Sequence, residues 1–260
     1  RMADTMAVDP AKAEALMMQV WGPAVARVKE EVADMRGIAG HAIEPWDYLY
    51  YAEKVRKARY DLSEAETKPY FELNNMIAAS YYAAERLYGL KFTEITGTVP
   101  VFHPDVRVYE VTRQGKHVGL FYRDDFARTG KRSGAWMTTY RDQRKFPTVQ
   151  TPLVSNNNNF AKPGAGEPVL ISYDDANTLF HEFGHAIHFL LQDVTYPGLS
   201  GTPRDFVEYP SQVNENWLLT RDVLDRFAKH YKTGEPMPVA LVDKIEKSQT
   251  FNQGYATVSY

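Results

Sequence analysis

Apolar residues recur at helical spacing through Ala13, Leu16, Met17, Val20, Trp21, Ala24, Val25, Val28, Val32 and Met35. That period predicts one helical face packed on a core. Asp9-Pro10 supplies a capping side chain and a first-turn proline. Gly22-Pro23 predicts a kink, and Gly37 the end of the helix. Residues 44–62 bring Trp46, Tyr48, Tyr50 and Tyr51 among alternating charges, which predicts a packed helix rather than a stacking platform for bases. Ser63 and Glu66 have the spacing of a capping box. The helix they open is predicted to run past Pro69, kinked there, and to stop at Gly89.

The period changes after Lys91. Val106, Val108 and Glu110 alternate with Arg107 and Tyr109, then Val118, Leu120 and Tyr122 follow a turn at Arg113-Gln114-Gly115-Lys116, which predicts a β-hairpin. Ser133 to Tyr140 reads as a third strand, whose Ser-Gly-Ala start lets another backbone approach closely. Val149 to Val154 and Val169 to Ser172 are further strand candidates, and the polar run Asn156 to Asn159 reads as loop. Lys162 to Pro168 is glycine-rich without the spacing of a phosphate loop and also reads as loop. Helical spacing returns from Asp174 or Asp175, as cap, through Leu191. A further helix is predicted over Arg204 to Tyr231, with Gly234 as its stop, and a shorter one over Pro238 to Thr250. The expected fold is mainly α with a small antiparallel or mixed β-sheet, in one domain. Its segments are helices over 1–92, the sheet over 93–173 and helices over 174–260.

Composition removes whole classes of chemistry. The chain has 260 residues and no cysteine. Disulfides, thiol nucleophiles, zinc ribbons and iron–sulfur clusters therefore drop out. A net charge of −3 rules out a dominant electrostatic grip on nucleic acid or anionic lipid. No apolar run reaches the roughly 18 residues of a membrane span. Position 1 is Arg, and Gly254 to Tyr260 end without a helix stop or polar tail, so the expectation is a piece of a longer polypeptide. The expected compartment is the cytoplasm, with the periplasm open.

His181-Glu182-Phe183-Gly184-His185 carries the chemistry. Positions i and i+4 share a helix face, so the two imidazoles can hold one metal ion. Glu182 is rotated about 100° from His181, beside the metal rather than on it. Two imidazoles on zinc, with a carboxylate to take a proton from water, form a metallopeptidase centre. A catalytic zinc wants a third protein ligand, and the downstream candidates are Asp205, Glu208 and Glu215. Glu208 fits best, because the stretch after His185 is long enough for a turn and a returning helix, and Pro210 would fix the carboxylate's direction. Asp205, one turn earlier, and Asn177, one turn before His181, are candidate partners for the imidazole N–H groups. Both also suit helix caps. His188 reads as a packing residue, because a fourth ligand would close the position that water needs.

Longer stretches sharpen this. Thr178 to His185, Leu199 to Gly201, Arg204 to Gln212 and Asn214 to Trp217 resemble the thimet oligopeptidase family of zinc metallopeptidases, nearest its peptidyl-dipeptidase branch. Pro45 to Tyr48, Tyr51 to Glu53, Lys68 to Leu73, His103 to Val108, Gly130 to Met137 and Lys162-Pro163 extend the resemblance over essentially the whole chain. It implies a zincin-type core within a larger, two-lobed helical enzyme with a deep channel. Zinc would be bound by His181, His185 and Glu208, Glu182 would be the general base, and Gly134-Ala135 would lie on an edge that pairs with substrate. The implied partners are short peptides, and the implied reaction is release of C-terminal dipeptides. Cleavage of internal bonds, and zinc and peptide binding without turnover, are the alternatives. Family members are longer at both ends, and their C-terminal His and Tyr cluster, which stabilises the oxyanion, is not in this chain. The oligomeric state is left open.

Overall fold

A computed structural model describes residues 7–164 and 166–259. Arg1 and Tyr260, at the two ends, and Ala165, in the glycine-rich stretch, lie outside the described residues. In chain order the elements are α1 (Pro10–Ala39), α2 (Tyr48–Tyr60), α3 (Glu64–Thr67), α4 (Leu73–Tyr88), β1 (Leu90–Glu94), β2 (Arg107–Arg113), β3 (Lys116–Phe126), β4 (Trp136–Arg141), β5 (Leu153–Phe160), α5 (Tyr173–Leu190), α6 (Glu208–Glu215), α7 (Arg221–Phe227), α8 (Val239–Ser248) and α9 (Gln253–Ser259). Helices with a small mixed sheet are what the hydrophobic spacing predicts. The chain divides into two compact units, one of residues up to Glu66 and from Pro238 onward, the other of Thr67–Met237.

In the first unit α1 starts as expected, with the Asp9 side chain accepting from the Lys12 amide at 2.9 Å. Gly37 stays helical, and the helix ends instead at Gly40, whose φ of 74° suits glycine. The apolar face is not uniformly buried. Met35 and Ala24 are covered, whereas Leu16, Met17, Val20 and Trp21 are exposed. Buried Glu31 ties α1 to α9, accepting from the Gly254 and Tyr255 amides at 2.9 and 3.0 Å. Those amides are among the N–H groups that the first turn of a helix leaves without intrahelical partners.

The second unit is built on a sheet of order β1-β2-β3-β5-β4. The expected hairpin is β2–β3, antiparallel. Gln114 and Gly115 both have positive φ, 51° and 74°, the turn that matches strand twist. β3 and β5 pair in parallel, and β4 pairs antiparallel with β5, which leaves β4 at an edge. The asparagine run is not a loop but the interior strand β5. Each side-chain nitrogen finds an acceptor there: Asn156 donates to the Glu182 carbonyl, Asn157 to the Trp136 carbonyl, Asn158 to Asp125, and Asn159 to the carbonyls of Arg132 and Gly134. Partners of this kind make burial of the polar run tolerable. Buried Lys131 adds a further tie, donating to the carbonyls of Asp124, Phe126 and Asn158. Val169 to Ser172 contributes only an isolated bridge, Leu170 to Glu72.

Two expected helices are broken. The first ends in a 3₁₀ turn over Lys68–Tyr70, and α4 starts afresh with Glu72 capping the Asn75 amide at 3.0 Å. The second is interrupted between α6 and α7 by turn residues near Trp217. Pro69, which lacks an amide proton, falls within that 3₁₀ turn, whereas Pro210 sits in the first turn of α6, where no amide proton is needed, and the second break comes after it. Both breaks lie in the unit that carries the sheet and its core. That core stacks Tyr81 on Phe92 and gathers Tyr109, Phe121 and Phe183 around them. Phe183, Ile187 and Leu190 bring α5 into the same cluster, each such side chain contributing about 1.5–3 kcal/mol by burial.

Candidate metal centre

The helix that carries the histidines is capped more tightly than expected. Ser172, not Asp174 or Asp175, is the cap: its Oγ accepts from the Asp175 amide, and Asp175 accepts from the Ser172 amide, both at 3.0 Å. Leu179, Phe180, Phe183, Ala186 and Leu190 are buried and orient α5 about its axis. His181 and His185 then lie together, ring centroids 5.0 Å apart and planes at 84°. Glu208, the first residue of α6, reaches both. Its Oε2 is 3.2 Å from His181 Nε2 and 3.1 Å from His185 Nε2.

These three residues form a group able to hold a metal ion, with ligand atoms within 4.8 Å of one another. Two tetrahedral ligands at about 2.0–2.1 Å from zinc lie about 3.3 Å apart. The observed 3.1 and 3.2 Å are close to that separation. Tautomer also fits. His181 Nδ1 faces Glu215 Oε1 at 2.6 Å, an N–H donor against a carboxylate. Nε2 is then the nitrogen free to ligate. Asn177 Nδ2 donates to the other Glu215 oxygen at 3.0 Å.

The electrostatics follow from these contacts. The hydrogen bond to Glu215 raises the His181 pKa, against burial and with help from the neighbouring carboxylates. Burial lowers that of His185. Burial alone would raise Glu215, but the hydrogen bonds from His181 and Asn177 hold it below the ordinary carboxylate range. Burial lifts Glu182 to about 6; His181 opposes the rise, Glu208 adds to it, and the Met137 amide lowers it. Glu182 is thus gripped twice from paired strands, since Asn156, the register partner of Met137, donates to its main-chain carbonyl at 2.7 Å.

Helix contact sets the position of α6. A Cβ on Gly184 would lie 2.7 Å from Ser211 Cα and 2.8 Å from both Asn214 Cβ and Pro210 O. Only glycine allows that approach. Asn214 Nδ2 spans the seam to the Phe180 carbonyl at 2.7 Å.

The candidates divide. His181, His185 and Glu208 come together, with Glu182 following His181 on the helix. Asn177 reaches His181 through Glu215 rather than directly. Asp205 is exposed in the turn before α6 and, among the described residues, hydrogen-bonds neither imidazole. Glu215 occupies the role foreseen for Asp205. Its spacing of two helical turns from Glu208 is the sequence signal that points to it. His188 packs edgewise on Phe189 and Phe206, with Nδ1 buried and unpartnered, outside the ligand group. Gly134, at φ 81°, and Ala135 lie just before β4, with the Gly134 carbonyl held by Asn159.

The model of peptidase family M3 matches residues 1–260. The chain belongs to peptidase family M3. It is 43% identical over 264 residues to dipeptidyl carboxypeptidase of Escherichia coli, covering 98% of this chain and 38% of that protein. To oligopeptidase A of Salmonella typhimurium it is 35% identical, over 96% of this chain and 38% of that protein. A probable thimet oligopeptidase of Arabidopsis thaliana is 34% identical over 78% of the chain and 29% of its own length. The chain thus spans less than two fifths of the length of these curated M3 relatives. The family resemblance read from the motifs holds. Among the described residues, no helix is long and apolar enough to cross a membrane.

Proposed function

We propose that this chain is the metal-binding part of a zinc peptidase with a zincin-type core, acting on short peptides and releasing C-terminal dipeptides. The observation that carries the reading is Glu208 Oε2 facing the Nε2 atoms of His181 and His185, with His181 anchored from behind by Glu215. Bound there, zinc supplies a Lewis acid for the scissile carbonyl and acidifies water. Glu182 takes the proton of the attacking water on its carboxylate and passes it to the leaving amine. The free edge of β4, entered through Gly134 and Ala135, receives the peptide as an added strand. Dipeptide release is favoured by the 43% identity to dipeptidyl carboxypeptidase against 35% to oligopeptidase A.

The test has two arms. Zinc bound per chain is measured for the wild type, Glu208→Ala and His185→Ala, and loss of tight binding in both variants is expected. Wild-type affinity in either variant removes the assignment. In the longer protein, products from N-terminally blocked peptides are identified by mass. Sequential dipeptides from the C-terminus are expected, and internal fragments alone would select the oligopeptidase mode instead.

A further inference from the structure

Ser211 is fully buried, one helical turn along α6 from Glu208. Its Oγ lies 2.9 Å from the Glu208 main-chain carbonyl and 3.0 Å from Glu208 Oε2. That Oε2 is the same oxygen that faces both imidazoles. A hydroxyl has one proton, so it serves one of these acceptors at a time. A carboxylate is the stronger acceptor, so the proton goes to Oε2.

The neighbouring geometry makes that bond directional. The Glu208 side chain is 45% exposed, and its own torsions do not fix which oxygen turns toward the histidines. The Ser211 main chain cannot shift toward α5, because Gly184 leaves no more room than a glycine needs beside its Cα. The polar side-chain groups within hydrogen-bond reach of Glu208 Oε2 include the two imidazoles and this hydroxyl. The hydroxyl is thus a fixed point on the oxygen that must move least.

We infer that Ser211 is a positioning residue for the third metal ligand, selecting Glu208 Oε2 and holding it toward His181 and His185. The inference rests on the metal-centre reading above. It gives the tight approach at Gly184 a second consequence, since the glycine that lets the helices touch also fixes the main chain from which the hydroxyl projects.

The experiment is a double-mutant cycle on zinc affinity, read by competition with a chromophoric chelator, together with the visible spectrum of the cobalt-loaded chain. Partners of ligating groups typically contribute about 10–100-fold in affinity. Ser211→Ala is expected to weaken zinc binding about tenfold and to alter the cobalt spectrum. In a Glu208→Ala background the same change is expected to have no further effect on affinity, because its route to the metal is gone. Melting temperatures of the metal-free variants are measured alongside. A purely structural serine, bonded to the main-chain carbonyl, would lower that temperature and leave the affinity and the cobalt spectrum unchanged. Unchanged affinity in Ser211→Ala, or an equal loss with and without Glu208, overturns the inference. Equal zinc affinity in wild type and Glu208→Ala would overturn the metal-centre reading itself, and this inference with it.

Discussion

Replacing Gly184 by Ala separates two physical effects of opposite sign. In a helix interior, Gly→Ala is worth about 0.8–1 kcal/mol of stabilisation from propensity. At Gly184 the new methyl would meet Ser211 Cα at 2.7 Å and Pro210 O at 2.8 Å, where ordinary contact begins at 3.4 Å. Both are backbone atoms, so no rotamer change relieves the clash. α6 must retreat by roughly 0.6–0.7 Å, and overpacking on that scale costs about 1–3 kcal/mol. The net expectation is destabilisation by up to about 2 kcal/mol, or a fall of up to about 8 °C at roughly 2–4 °C per kcal/mol. The retreat also carries Glu208 away from the imidazoles. A functional constellation tolerates about 0.5 Å of displacement, so zinc affinity should drop at least about tenfold. The assays are thermal unfolding of the metal-free chain and chelator competition for zinc. Gly37→Ala in α1 is the control, because a Cβ there meets nothing within 4 Å and no proline follows it; it should be neutral or stabilising. A Gly184→Ala chain that is more stable than wild type and binds zinc as tightly would refute the argument.

In the longer protein, Glu182→Gln is expected to keep its zinc and lose about 10²–10⁴-fold in kcat, the usual share of a general base; loss of zinc would make Glu182 a ligand. Glu215→Gln, which swaps the anionic acceptor of His181 for a neutral one, should weaken zinc binding by about 10–100-fold, and unchanged affinity would sink its role. Stability should depend on Asp124 in acid. Burial pushes its carboxyl up, but the hydrogen bonds from Arg128 and Lys131 outweigh it and the net pKa falls below the ordinary value of 3.8. A depressed carboxylate contributes stability in full above its unfolded pKa and loses it as pH falls through the folded one. Asp124→Asn should therefore be less stable than wild type at pH 7, with the gap closing below about pH 4; a gap independent of pH would refute it.

The spacing of apolar residues and the His181/His185 pair on one face were legible in the sequence, because a helix converts residue spacing directly into angle about its own axis. Helix ends were less legible. Gly37 and Gly40 are equally good stops in sequence, and the φ of 74° that distinguishes Gly40 is a property of the folded backbone. The asparagine run shows the same limit more sharply. Four polar residues read as loop, and their place in β5 depends on partners as far away in the chain as Glu182 and Asp125. No local pattern encodes such partners. The separation of the candidate ligand groups is likewise tertiary. Periodicity puts two imidazoles on one face of α5, but their distance from Glu208 is decided where Gly184 meets Ser211 and Asn214 bonds the Phe180 carbonyl. Rotation about one helix is a local quantity, whereas the gap between two helices is set by whichever side chains are small enough to let them touch.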